Sequence, residues 1–212
     1  MTKKERLEHI LNLLEENYGP AHCYLDHETV WQLLIATILS AQCTDDRVNI
    51  VTKDLFKKYT SVKDFAEADL AELEKDVHST GFYHNKAKNI IACCQKLLVE
   101  YNGEVPSDLD ALTGLAGVGR KTANVVRGNW YGIPSVVVDT HVKRLSNLLG
   151  LTKNQDPTKI EFDLMKLVPQ DRWISINTQL IAHGRKVCIA RRPKCGECFL
   201  LPFCVSGKKA DS

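Results

Sequence analysis

The chain has 212 residues, 44% of them hydrophobic and 25% charged, which is ordinary globular composition and enough for one large cored domain or two small ones. A net charge of +2 excludes attraction to nucleic acid by bulk charge alone, so the placement of the basic residues has to carry any such argument. The longest apolar run, Trp31 to Ala41, is interrupted by Gln32, Thr37 and Ser40 and is too short for a membrane span. No apolar segment follows Met1–Arg6 as a secretory signal requires, so an intracellular location is expected.

Leu7, Ile10, Leu11 and Leu14 recur at helical spacing, and Gly19-Pro20 ends that element. Trp31, Leu34, Ile35, Ile38 and Leu39 predict a second, strongly apolar helix that reads as core rather than as a cofactor site. Ser61 to Asp64 reads as a capping sequence. A helix is predicted from Ala87 to Tyr101, stopped near Asn102-Gly103, and a helix-like stretch from Thr122 to Arg127. Val136-Val137-Val138 is the one β-like run, too short to build a sheet. Asp156-Pro157 opens a helix to about Val168, and Trp173 to His183 forms another with Gly184 beyond its end. The tail from Val205 to Ser212 is expected to fray. The fold class is therefore all-α.

The run Leu115-Ala116-Gly117-Val118-Gly119-Arg120-Lys121-Thr122-Ala123 is the most informative. Two glycines around one valine allow a sharp turn and a close approach to another molecule. The helix that follows aims its first amides outward as an anion site, suited to a phosphate. Lys121 closes the loop as a point charge or an amine nucleophile. Soon after, Asp139-Thr140-His141 places a carboxylate after the apolar valines, where Asp139 also reads as the N-cap of the next helix.

Eight cysteines are present, and four crowd one segment as Cys188-x6-Cys195-x2-Cys198-x5-Cys204. Four thiolates so close can surround one metal centre, and spacing alone leaves zinc and a [4Fe–4S] cluster both open. The enclosed loop carries Arg191, Arg192 and Lys194, which ligation would stiffen and aim outward toward phosphates.

With both motifs in hand, nearly the whole chain resembles the endonuclease III family of bifunctional helix-hairpin-helix DNA glycosylases. The resemblance is carried by Leu39-Ser40-Ala41-Gln42-Cys43-Thr44-Asp45, Gly81-Phe82-Tyr83, the hairpin from Leu112 to Ala123, Val138-Asp139-Thr140-His141, and the four-cysteine segment. It implies a helix-hairpin-helix glycosylase fold with a six-helix domain over residues 22–132. A discontinuous helical domain would comprise residues 1–21 plus 133–212, with DNA gripped in the cleft between. It also implies that Cys188, Cys195, Cys198 and Cys204 hold a [4Fe–4S] cluster. A monovalent cation at the hairpin, on carbonyls near Thr113, Leu115 and Val118, is expected on the same ground.

The implied activity is removal of damaged pyrimidines from duplex DNA by base flipping, then cleavage of the abasic strand by β-elimination. Lys121 would form the Schiff base and Asp139 would stabilise positive charge on the sugar. Gln42 and Phe82 would fill the vacated space; Phe82 stands where relatives often carry an aliphatic residue, but a phenylalanine can still wedge or stack. Gly117, Val118, Gly119, Arg120, Thr122, His141, Arg191 and Lys194 are the remaining expected DNA contacts. The partner expected is double-stranded DNA with damaged pyrimidines or abasic sites, bound by a monomer. The competing readings are a monofunctional glycosylase, whose members generally lack lysine at this position, and a non-catalytic DNA-binding module, which needs neither Lys121 nor Asp139.

Overall fold

The computed structural model describes residues 1–207, and the remainder of the tail from 208 lies outside the described residues. Its residues divide into two compact units, Cys23–Ile133 and a second made of Met1–His22 with Pro134–Ser212. Both are helical, and no strand occurs among the described residues.

The Cys23–Ile133 unit contains α2 (Val30–Leu39), α3 (Asp45–Lys58), α4 (Val62–Ala66), α5 (Leu70–Val77), α6 (Tyr83–Tyr101), α7 (Leu109–Thr113) and α8 (Arg120–Asn129). Helix α2 is buried from Leu33 to Leu39, so it is apolar all round because it is the core element. Its start is fixed by a capping box in which the Thr29 side chain accepts from the Gln32 amide and the Gln32 side chain reaches back. The long α6 packs on α4 and α5 and buries Ala87, Ile90, Cys93, Cys94 and Leu97 on one side.

Helix α6 begins four residues before the position expected from sequence. Its N-cap is Phe82 in a left-handed conformation, φ 50°, with no side-chain cap bond, so the usual Ser/Thr/Asp start signal is missing. A short 3-10 turn, His78–Thr80, leads into it.

The other unit holds α1 (Lys3–Tyr18), α9 (Thr140–Leu148), α10 (Pro157–Leu167) and α11 (Trp173–Lys186), followed by the cysteine segment. Helix α11 packs on α1 and α9. Leu7, Ile10 and Leu14 meet Val142, Leu145, Ile160, Leu164, Ile176 and Leu180 in its core. The Arg6 guanidinium donates to the carbonyls of Leu149, Gly150 and Phe203, satisfying the end of α9 and tying the C-terminal segment to α1.

Val136, Val137 and Val138 form no strand, in keeping with so short a run. Two local expectations are corrected. Gly184 does not end α11; it lies inside that helix, buried where His141 packs onto it. Val205 to Gly207 are not frayed: the Ser206 amide donates to the Leu148 carbonyl at 3.2 Å and the Gly207 amide to the Cys204 sulfur at 3.3 Å.

Candidate active site and metal-binding segment

The hairpin is built by α7, a six-residue loop and α8. Leu112, Leu115, Val118, Ala123 and Val126 are buried and anchor it to the core of its unit. The Val118 amide donates back to the Leu115 carbonyl at 3.2 Å, so it is spent on the turn rather than offered outward. The buried Val118 side chain leaves only its backbone for any ligand. Gly117 has φ 75°, and a β-carbon there would lie 2.8 Å from Cβ of Asn89, so glycine is required twice over. Gly119 differs: it is the N-cap of α8 with φ −85°, and a β-carbon would meet nothing within 4 Å. The protein's own packing gives no reason for glycine at 119. No side chain caps α8, whose first residues are Arg120, the exposed Lys121 and the half-buried Thr122.

Asp139 is the N-cap of α9. Its Oδ1 accepts from the Val142 amide at 2.8 Å, and its carbonyl accepts from the Lys143 amide at 2.9 Å. The cap fixes the carboxylate's position at the positive end of a helix. His141, two residues on, is half-buried, and its Nδ1 has no hydrogen-bond partner among the described residues. Burial holds its pKa below the ordinary histidine value; Asp139 opposes the shift, while Arg144 and Arg185 add to it. Lys121 and Asp139 belong to different units.

Gln42 and Phe82 lie at the tips of two loops in the first unit. Both are exposed, and both are left-handed, with φ 53° and 50°. Such conformations are costly for non-glycine residues and persist where the surroundings hold them. The loops are joined underneath by Lys86, which sequence reading passed over.

The donor set of the C-terminal segment is four thiols. Cys195 is exposed and the other three are partly buried. Burial pushes the Cys198 thiol up, a hydrogen bond from the Leu200 backbone pulls it back, and charge on Cys188, Cys204 and Cys195 pushes it up again. Negative charge on Cys188, Cys204 and Cys195 opposes a thiolate at Cys198, and a cationic centre held by the four would relieve that repulsion. Four cysteine thiolates are a ligand set that an iron–sulfur cluster takes, and this donor chemistry fits one.

Around these thiols stand groups that sequence reading did not single out. Arg144 donates to the Cys188 sulfur at 3.4 Å and to the Cys188 carbonyl at 2.6 Å. His183 is buried, with Nε2 at 3.4 Å from the Cys198 sulfur and Nδ1 at 2.9 Å from the Tyr18 hydroxyl. With Cys198 ligating as a thiolate, which only accepts, Nε2 would carry the proton and the Tyr18 hydroxyl would donate to Nδ1. Between Cys188 and Cys195, Arg191, Arg192 and Lys194 are exposed, and the Lys194 amide closes the loop onto the Val187 carbonyl at 3.0 Å.

Residues 35–170 match the family model described as HhH-GPD superfamily base excision DNA repair protein. Residues 188–204 match the iron-sulfur binding domain of endonuclease III. The chain is 53% identical to endonuclease III of Synechocystis sp., over 98% of its own length and 95% of that relative. It superposes with TM-score 0.95 and 45% identity on a trapped endonuclease III–DNA covalent intermediate, covering 100% of both chains. A non-covalent endonuclease III–DNA complex gives TM-score 0.94 at 45% identity, over 100% of this chain and 99% of that one. The chain therefore belongs to the endonuclease III family of HhH-GPD base excision DNA repair proteins.

Proposed function

We propose that the chain removes damaged pyrimidines from duplex DNA and then cleaves the abasic strand. The observation that carries this reading is Lys121, an exposed amine at the second position of α8, two residues after the side-chain-free N-cap Gly119. The glycine surface and the first amides of α8 take a DNA phosphate. The hairpin carbonyls of Thr113, Leu115 and Val118 supply hard oxygens for a monovalent cation beside it. The phosphate contact brings the adjoining deoxyribose to Lys121.

The target nucleotide leaves the stack, and Gln42 and Phe82 occupy its place and press on the partner base. The neutral Lys121 amine attacks C1′ as the N-glycosidic bond breaks and the base departs with the bonding electrons. Asp139 stabilises the positive charge that builds on the sugar and accepts a proton. Opening of the sugar ring leaves a protonated Schiff base between Nζ and C1′. Loss of a proton from C2′ then expels the 3′ phosphate, and hydrolysis frees the lysine.

The cofactor is a [4Fe–4S] cluster, for which we assign Cys188, Cys195, Cys198 and Cys204 as ligands. When bound it crosslinks the segment and stiffens the loop bearing Arg191, Arg192 and Lys194. Those cations, with Arg120, Thr122 and His141, complete the DNA contacts we infer. The relatives are bacterial, and the inferred place of work is the intracellular nucleoid.

Borohydride trapping tests the reading. With DNA carrying an abasic or oxidised-pyrimidine site, reduction is expected to leave a covalent adduct that Lys121→Ala abolishes. Base release with no adduct would make the protein a monofunctional glycosylase. Tight binding with neither would make it a DNA-binding module.

A further inference from the structure

Lys86 is buried to 4% exposure although it lies in the N-terminal part of α6. A cation there is opposed by the helix macrodipole, and burial of an ammonium carries a desolvation penalty. The lysine default at such a position is a solvated side chain, so its burial demands strong partners. Nζ donates to the Leu39 carbonyl at 2.8 Å and to the Thr80 carbonyl at 2.7 Å. Each partner is the last residue of its element, α2 and the 3-10 turn, where carbonyls lack intrahelical donors.

Leu39 leads directly into the loop of Gln42, and Thr80 into the loop of Phe82. Among the described residues, one other non-glycine residue has positive φ, Asn102, and it merely ends α6. The amide of Lys86 also donates to the Phe82 carbonyl at 3.1 Å. That bond is the first turn of α6 and any residue would make it; the side chain alone ties the roots of both tips together. The two loops are distant in sequence, and charge-assisted bonds to both carbonyls set the spacing between them.

We infer that Lys86 is a positioning residue that holds the Gln42 and Phe82 loops in register, so that both tips enter the duplex together as the target nucleotide leaves. The inference rests on the reading of Gln42 and Phe82 as the residues that fill the vacated space. A side chain of similar length without donors would leave two buried carbonyls unpaired and release the loops from each other.

The test uses full-length, cluster-loaded protein carrying Lys86→Met or Lys86→Leu. Two substrates are compared: a duplex with a damaged pyrimidine and a 2-aminopurine reporter in the partner strand, and a single-stranded oligonucleotide with a preformed abasic site. Only the duplex has a partner strand to press upon. The variants are expected to lose the reporter's fluorescence rise and about tenfold to a hundredfold in excision from the duplex, with cleavage of the single strand changing far less. Equal losses on the two substrates, or an unchanged fluorescence rise, would overturn the inference. So would failure of both variants to fold, which would assign Lys86 to the fold alone. Gln42→Ala and Phe82→Ala serve as controls. If neither lowers the fluorescence rise, the reading of the loops falls and this inference with it. If they lower it and the Lys86 variants do not, only this inference falls.

Discussion

The imidazole of His141 rests on the backbone of Gly184 so closely that a β-carbon at 184 would stand 2.5 Å from Nδ1. Glycine within a helix ordinarily gives up about 1 kcal/mol relative to alanine. Gly184→Ala should therefore stabilise α11 on propensity alone. The contact reverses the sign: the ring must move, and overpacking of this kind costs about 1–3 kcal/mol. The expected result is a lower Tm for Gly184→Ala. Duplex excision should fall as well, because His141 is two residues from the Asp139 cap. A raised Tm would show that the ring has room to turn aside.

Substitution can separate the cap that Asp139 forms from the charge-stabilising role proposed for it. Asparagine keeps an oxygen for the Val142 amide, so Asp139→Asn should retain the cap, the Tm and DNA binding. It removes the negative charge, and excision is expected to fall by about a hundredfold or more. Asp139→Ala should lose the same activity and about 1 kcal/mol of stability besides. Thermal melts beside single-turnover excision rates check both. Unchanged excision by Asp139→Asn would reduce the residue to a helix cap.

The two hairpin glycines are expected to fail in opposite ways. Gly117→Ala must place a side chain at φ 75° against Asn89, and a loss of about 1–3 kcal/mol is expected. Gly119→Ala meets no atom of the protein, and should lose at most about 1 kcal/mol, since alanine is a poorer N-cap than glycine. The surface it occupies is the one assigned to the phosphate, so Gly119→Ala should weaken DNA binding while remaining folded. Melting curves and titrations against abasic duplex would read the two effects apart. Equal binding by Gly119→Ala and the parent would remove the phosphate from that surface.

What sequence revealed here was local chemistry. The Asp139 cap and the Asp156-Pro157 start each depend on contacts within a few residues, so spacing alone exposes them. The hairpin was legible for the same reason, since its glycines adjoin its lysine. Lys86 was illegible because its partners are main-chain carbonyls far away in sequence, which no residue type announces. Gly184 misled because glycine after a helical run usually ends it, whereas here it makes room for a ring from another helix. His183 stood among seven histidines with nothing local to distinguish it; only the packing of α11 brings Tyr18 to one ring nitrogen and Cys198 to the other.

That histidine supports the final prediction. With the four cysteines holding the cluster as assigned, a proton on Nε2 would point at the Cys198 sulfur and offset part of the thiolate charge, and Tyr18 would hold the ring in that tautomer. Removal of such a supporting hydrogen bond typically weakens metal retention by about 10–100-fold. His183→Leu should therefore bleach faster in air than the parent, followed by its visible absorbance and by iron and sulfide content. Tyr18→Phe should show a smaller change in the same direction, because the imidazole remains and only its orientation loosens. Both proteins should retain helical circular dichroism while the cluster is intact. Because Arg191 and Lys194 sit on the loop between two assigned ligands, affinity for DNA should decline in step with iron content. If the colour fades in His183→Leu no faster than in the parent, the Cys198 contact does not support the cluster.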